Sequence, residues 1–296
     1  MITLKLVNLE KQYLINKMAL QNVSASFTAG LHVFIGPNGA GKTTLFRILA
    51  GVLNPGLGDV WWCNQKLGSN KGSYKQRLGY LPQHFDFYPD MCGKEILYYM
   101  AKLKGIPPEL QTARIYEIAE LTGLHPVFNK KIMEWSTGLK RRLGIAQAIL
   151  NDPDILILDE PMLGLDPQEK LFFWDYFSQL ARERIVLISS NTLTDFITLG
   201  DRLLVLVEGK VEFDGQFQEF LETVTGKVWS VSLSLEAAQS LQPAYAISAF
   251  HGLPGACQIR IVSDHCPDIA GVRPEQPKLA DAYHYLVGYR HFKLKE

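Results

Sequence analysis

"LHVFIGPNGAGKTTLFRILAG", Leu31 to Gly51, passes from an apolar run into a glycine-rich turn and then into a helical pattern that closes on a further glycine. Its middle, Gly36, Pro37, Asn38, Gly39, Ala40, Gly41, Lys42 and Thr43, with Thr44 after it, has the spacing G-x-x-x-x-G-K-T. Glycines so placed let successive backbone N–H groups turn inward around a phosphate, and the helix that follows adds the positive end of its dipole. Lys42 has the reach and the charge for terminal phosphates, and Thr43 offers a hydroxyl to Mg²⁺. A strand before the turn and a helix after it are the context in which this spacing acts as an anion cradle.

The same alternation runs outward from this segment. "DILIL", "RIVLIS" and "DRLLVLV" carry apolar runs on both faces, as central strands of a parallel sheet must. Residues 1–225 therefore read as an α/β domain. Residues 89–150 interrupt the alternation with three helical patterns, "GKEILYYMAKLKG", "PELQTARIYEIAELTG" and "TGLKRRLGIAQAIL", which read as a helical insertion into the sheet domain. From 226 to 296 the composition changes to β-type runs, Pro- and Gly-marked turns and a final helix, "LADAYHYLVGY", which predicts a small C-terminal α+β appendage.

Lys plus Arg and Asp plus Glu each total 30 in 296 residues, so there is no net basic field for a nucleic-acid backbone. The expectation is no nucleic-acid partner. Cys63, Cys92, Cys257 and Cys266 form no C-x-x-C pair and no metal-ligand rhythm, so reduced or buried thiols in a cytosolic setting fit them. The opening "MITLKLVNLEKQY" carries charges where a signal peptide needs an apolar core, and no run approaches the ~18 apolar residues of a spanning helix. Attachment to a membrane would then come through a partner.

"DILILDEP" ends an apolar strand on Asp159 and Glu160, at the strand end where parallel sheets present their ligands. Asp159 suits Mg²⁺, and Glu160 suits the orientation or deprotonation of an attacking water. Acidic strand ends also occur in loops that bind nothing; the phosphate loop on the same chain is what turns this pair into a nucleotide-hydrolysis signal. In "EWSTGLKRRLGIAQAIL", Ser136 precedes a helix with Gly138 in its first turn. Ser136 reads either as a plain helix cap or as part of a second anion site. Lys140, Arg141 and Arg142 read as a solvated face. "RIVLISSNTL", Arg184 to Leu193, ends its strand on a neutral amide, Asn191, instead of an acid.

In order along the chain, Gly36 to Thr43, "YLPQ" with Gln83, "STGLKRR" from Ser136, "ILILDEP", and "GLDP" with Asp166 resemble the nucleotide-binding subunit of an ABC transporter, over residues 1–222. The finer likeness is to the ATPases of bacterial drug- or antibiotic-type exporters. The resemblance implies a P-loop NTPase of α/β class, with a central, mostly parallel sheet and an antiparallel N-terminal β region. ATP and Mg²⁺ are the implied ligands, on a protein held at the cytoplasmic face of the cell membrane by a separate transmembrane permease subunit.

It further implies a second ATP-binding cassette packed head to tail, with ATP between the phosphate loop of one and Ser136 and Gly138 of the other, and Asp166 at the same interface. Gln83 corresponds to a glutamine on Mg²⁺, and Tyr13 to an aromatic stacked on adenine; a half-buried edge-strand tyrosine is the other reading of Tyr13. "HFDFYPDM" falls where the family docks a helix of its membrane partner, although Phe85, Phe87 and Tyr88 read equally well as core of the helical insertion.

The chain departs from the pattern at Thr137, where glycine is usual, at Lys140, where many members have glutamine, and at Asn191, which occupies the place of the switch histidine. Asn hydrogen-bonds but carries no proton or positive charge, so phosphate binding should survive better than turnover. Asn191 also suits a cap on the following "TLTDFITLG". A soluble ABC ATPase of translation or DNA repair fits less well, because the chain has one cassette and no long coiled-coil insertion. The remaining alternative is an ATP-gated subunit with little hydrolysis.

Overall fold

A computed structural model of the chain describes residues 2–14, 17–68, 72–191, 200–241, 245–253 and 256–289. The chain divides into two compact units, Met1–Val211 and Glu212–Glu296. The first opens with β1 (Leu4–Leu14), β2 (Lys17–Phe27), β3 (Gly30–Ile35), α1 (Lys42–Leu49), β4 (Leu57–Trp62), β5 (Gln65–Lys66), α2 (Gly72–Gln76) and β6 (Leu78–Leu81). Three helices follow, α3 (Gly93–Leu103), α4 (Pro108–Leu121) and α5 (Thr137–Ile149). The chain then returns through β7 (Ile155–Asp159), α6 (Pro167–Ala181), β8 (Ile185–Ser190), β9 (Arg202–Val207) and β10 (Lys210–Gly215).

Two sheets share the work. The strands β2-β1-β4-β5 form an antiparallel sheet, and β10-β9-β3-β8-β7-β6 form the central one. Within the central sheet the pairs β3/β8, β3/β9, β7/β8 and β6/β7 are parallel. Every residue of β3 and of β7 is buried. Alternate side chains, Phe34, Ile155, Ile157, Ile185 and Leu187, enter one core with Leu4, Leu6 and Phe27 of the antiparallel sheet and Leu45, Phe46 and Leu49 of α1. The intervening Val33, Leu156, Leu158, Val186 and Ile188 are just as buried. That two-sided burial is why these strands carry no polar alternation in sequence.

The phosphate-loop strand is thereby anchored: Phe34 meets Phe46 of α1 edge to face at 5.1 Å, and α6 packs against β3 and β8. In the helical insertion, Cys92 pairs with Lys131 as an isolated bridge, and the Cys92 N–H donates to Glu95 Oε2 at 2.8 Å to start α3. Among the described residues no helix is long and apolar enough to cross a membrane. All four cysteines are free; only Cys257 is buried, and Cys63 and Cys266 are exposed.

The second unit takes up the last residues of β10, so the division falls ahead of the change in composition at 226. It continues through α7 (Phe217–Glu222), β11 (Val228–Leu233), α8 (Leu235–Leu241), β12 (Ala246–Leu253), β13 (Ala256–Val262), β14 (Arg273–Pro274) and α9 (Leu279–His284), which widens into a π-helical turn over Tyr285–Tyr289. Helix α7 packs on α9, which is why the unit begins before the first of its own strands. The strands β12-β13-β11-β14 form an antiparallel sheet, with Val231, Cys257, Ile259 and Ile261 in its core.

A buried ion pair fixes α9. Arg260, on β13, donates from Nη2 to Asp281 Oδ2 at 2.6 Å and from Nε to Oδ1 at 3.2 Å. The Lys278 N–H at 2.7 Å and the Ser248 hydroxyl complete the shell of the Asp281 carboxylate, which has no exposed surface. Removing one member of such a pair leaves the other charged and buried, a loss of about 3–5 kcal/mol. Asp281→Ala should therefore lower the unfolding free energy of the chain by about that amount, measured by urea titration followed by far-ultraviolet circular dichroism. A loss below about 1 kcal/mol would mean that the pair is not what holds α9.

Candidate active site

Parallel pairing in register brings the working ends of four strands to one edge. Ile35 of β3 lies beside Ser190 of β8, Asp159 of β7 beside Ser189, and Leu81 of β6 beside Leu158. The residues just past those ends are the glycine loop, Glu160, Asn191 and Gln83. They meet in a cleft of about 260 Å³ lined by Asn38 to Thr44, Gln83, Asp159, Glu160 and Asn191, with Tyr13 on its rim.

The loop needs its glycines for two separate reasons. A Cβ on Gly36 would sit 2.1 Å from the Leu206 carbonyl oxygen, so the turn out of β3 has no room for one. Gly41 has φ +106°, and a Cβ there would come within 2.3 Å of the Ala19 oxygen. The chain then enters α1 at Lys42. Its ammonium folds back over the loop and donates to the carbonyls of Gly36 at 2.6 Å and Pro37 at 3.2 Å. These are replaceable contacts, and the lysine is positioned to exchange them for phosphate oxygens.

Burial holds the Lys42 ammonium below its ordinary pKa, while Glu160 and Asp159 pull it back up. Burial likewise raises the Glu160 carboxyl above the usual carboxylate range; the Asn191 backbone N–H and Lys42 oppose the rise, and Asp159 adds to it. The Ser189 hydroxyl donates to Asp159 Oδ1 and accepts the Glu160 N–H at 3.0 Å. Asp159 Oδ2 and Glu160 Oε1 are buried without a hydrogen-bond partner among the described residues. Thr43 Oγ1 donates to Gln83 Oε1 at 3.2 Å. Thr43, Gln83 and Asp159 all line the cleft and bear hard oxygen donors, a type of donor that suits Mg²⁺.

Tyr13 lies beyond Glu10, where β4 stops pairing with β1, and its ring is half exposed. By strand order β1 is an inner strand, yet at Tyr13 only β2 still pairs with it. The Tyr13 hydroxyl lies 3.3 Å from Thr44 Oγ1, in the first turn of α1. Ser136, Gly138 and Asp166 are not part of that lining. Ser136 Oγ caps α5 by accepting the Leu139 N–H at 3.2 Å, and Gly138 abuts the carbonyl of Gly164. The Asp166 N–H donates to Glu169 Oε2 at 3.1 Å at the start of α6. The cleft and the serine- and glycine-bearing start of α5 are therefore separate places on the chain. The segment for which Asn191 was a candidate cap, 192–199, lies outside the described residues.

Arg141 and Arg142, in the basic run after Ser136, do not form a solvated face. Arg141 is buried, stacks its guanidinium 5.2 Å from the centre of the Phe85 ring and donates to the Gln83 carbonyl at 3.3 Å. Arg142 pairs with Glu169 at 3.3 Å and donates to the carbonyls of Thr122 and Gly123. Both side chains have the reach to leave their own helix and bond carbonyls that neighbouring segments leave unpaired, a tertiary circumstance that a charge count does not reveal. The aromatic run "HFDFYPDM" splits in the same way: Phe85 packs edge to face with Phe87 at 5.3 Å and presses on Gly144, while Tyr88 is largely exposed.

Ser189 had no place in the sequence reading. Its one sequence signal is a hydroxyl in a strand that is otherwise apolar up to its end, and that signal gains meaning only from the register that pairs it with Asp159.

A family model described as ABC transporter matches residues 20–163. The chain is 35% identical to the Nod factor export ATP-binding protein I of Burkholderia orbicola (strain AU 1054), over 74% of this chain and 72% of that protein. Among solved structures, it superposes with a TM-score of 0.67 on the dimeric post-hydrolysis state of the ATP-binding cassette MJ0796 bound to ADP and Pi, at 24% identity, covering 72% of this chain and 98% of that one. It is also 36% identical to the ABC transporter ATP-binding protein YxlF of Bacillus subtilis (strain 168), over 73% of this chain and 72% of that protein. Likeness of that depth, over more than two thirds of this chain and of its relatives, assigns the chain to the ABC transporter family as an ATP-binding subunit and an ATPase.

Proposed function

We propose that the chain powers a membrane export complex: ATP closes two cassettes on each other, the closure moves a separate transmembrane subunit, and hydrolysis resets the pair. The observation that carries this reading is the meeting of Lys42, Thr43, Gln83, Asp159, Glu160 and Asn191 in one cleft. The direction of transport rests on likeness to the Nod factor export proteins. The protein then works at the cytoplasmic face of the membrane.

In this reading Lys42 holds the terminal phosphates and the amides of Gly39, Ala40 and Gly41 cradle them. Tyr13 stacks on the adenine from the rim. Thr43, Gln83 and Asp159 hold Mg²⁺, which would neutralise charge on the β- and γ-phosphate oxygens. Glu160 takes the proton of the attacking water; a carboxyl raised by burial is a stronger base than an exposed one. Ser136 and Gly138 close over the γ-phosphate of the opposite cassette, with Asp166 at the same interface. The exposed Tyr88 and Tyr99, 6.4 Å apart between ring centres, support docking of the transmembrane subunit beside Gln83.

A second reading, low turnover, is favoured by one observation. What Asn191 gives Glu160 is its backbone N–H, which any residue would supply, and its exposed side chain is a neutral amide where the family has an imidazole. Such a site keeps its grip on the acid but lacks a charge-assisted contact to the γ-phosphate.

Lys42→Ala should abolish detectable hydrolysis and weaken Mg-ATP binding by at least about tenfold, one lost charge-assisted contact; calorimetry giving wild-type affinity would show that the loop is not the phosphate site. Glu160→Gln keeps the shape of the side chain but takes no proton, so ATP should bind and a nucleotide-stabilised dimer should accumulate. If sedimentation with ATP and Mg²⁺ finds only monomer, with or without the natural partner cassette, closure of two cassettes is wrong. Asn191→His should raise turnover by up to about tenfold, roughly 1.4 kcal/mol off the barrier, measured at saturating ATP with the transmembrane subunit present. A histidine chain that is no faster would remove Asn191 as the cause of any low rate.

A further inference from the structure

Ser189 belongs to none of the motifs, yet it is the residue through which β8 holds both acids of the site. Its side chain is 1% exposed, and in the parallel register it lies directly beside Asp159. A single hydroxyl has one proton to give and lone pairs to receive with, and here both are engaged by consecutive residues. The proton goes to Asp159 Oδ1, and the oxygen receives the backbone N–H of Glu160 at 3.0 Å.

Each bond has a separate consequence. Engagement of Oδ1 fixes the rotation of the Asp159 carboxylate and leaves Oδ2 as the buried oxygen without a partner among the described residues. The bond to the Glu160 N–H secures a backbone of unusual shape, because Glu160 has φ +55°. For a residue with a Cβ, that left-handed conformation is unfavourable and persists only where neighbours enforce it. Two residues further along, Asn191 donates its own backbone N–H to the Glu160 carboxylate. The end of β8 thus grips Glu160 at its main chain and at its side chain.

We propose that Ser189 is a positioning residue for ATP hydrolysis: it aims Asp159 at the Mg²⁺ position and holds Glu160 in the left-handed turn that points its carboxylate into the cleft. This rests on the roles given above to Asp159 and Glu160. β8 is the strand placed to do it, since the opposite neighbour of β7 is β6, which ends against it on Leu81 beside Leu158.

The test compares Ser189→Ala, which loses both bonds, with Ser189→Thr, which keeps the oxygen, and uses Glu160→Gln as a reference, all in the full chain. A hydrogen bond to a charged group contributes about 1.5–3 kcal/mol, so Ser189→Ala should lower kcat roughly 10- to 100-fold with KM changed by less than about threefold. Calorimetry gives a readout apart from turnover. ATP affinity in EDTA should match wild type, while the gain in affinity on adding Mg²⁺ should shrink several-fold in Ser189→Ala and recover in Ser189→Thr. Should the alanine chain not fold, Ser189→Cys keeps the volume with weaker bonds and should fall between wild type and the predicted loss. A Ser189→Ala chain with a lowered melting temperature but wild-type kcat and wild-type Mg²⁺ response would overturn the inference, leaving Ser189 as packing alone. If Glu160→Gln itself turns over at the wild-type rate, the reading of the acid pair fails and the inference falls with it. If Glu160→Gln is inactive while Ser189→Ala is not, the inference alone fails.

Discussion

The in-register parallel pairing of β3, β8, β7 and β6 is the constraint on which the site depends. A parallel strand ends at the same edge of the sheet as its neighbours, so every residue placed just past a strand end arrives near every other. The loop after β3, the acids after β7, Gln83 after β6 and Asn191 after β8 are separated by many residues in the chain, and pairing alone brings them together. A slip of one residue in β7 against β8 would set Glu160 beside Ser189 and send every side chain of the strand to the opposite face. Because both faces of β7 are apolar, what opposes that slip is the close fit of Ile157 and Leu158 in their own layers and the loss of the Ser189–Asp159 bond.

That rigidity lets the site carry charges in poor solvent. Lys42, Asp159 and Glu160 are all buried; burial lowers the pKa of the Lys42 ammonium and raises that of the Glu160 carboxyl, and each of these two opposes the shift of the other. An isolated charge would cost several kcal/mol there. Together they form a mixed-sign cluster in which Asp159 Oδ2 and Glu160 Oε1 have no hydrogen-bond partner among the described residues. The arrangement favours a ligand that brings phosphate oxygens to Lys42 and a divalent cation to the acids, which is what an ATPase requires.

The helical insertion is joined to this centre through arginines. Arg141 reaches from α5 to the main chain of Gln83, and Arg142 reaches from α5 to Glu169, whose other oxygen receives the Asp166 N–H. Both links run from the helix that bears Ser136 and Gly138 to segments that the proposed function places at the nucleotide. A shift of α5 on closure of two cassettes would be felt at Gln83 and at Asp166 through these contacts, a mechanical consequence of long side chains bonded at both ends.

Much of this was legible in the sequence, because the determining signals are local. Unbroken apolar runs mark strands covered on both faces, and glycine spacing marks a turn whose backbone must approach a ligand. Two acids at the end of an apolar run mark a parallel-sheet edge, so the phosphate loop, Asp159 and Glu160 could be named without coordinates, whereas Gln83 is named only through the family resemblance. What only the tertiary structure decided are the relations between strands and between layers. Arg141 and Arg142 look like a solvated charge run until neighbouring segments offer them carbonyls. Phe85 and Tyr88 look alike until one packs against Gly144 and the other is left exposed. Ser189 is an unremarked hydroxyl in a strand until register sets it beside Asp159. Sequence records the preferences of each segment; a hydrogen bond between strands 30 residues apart exists only once pairing has fixed which residue faces which.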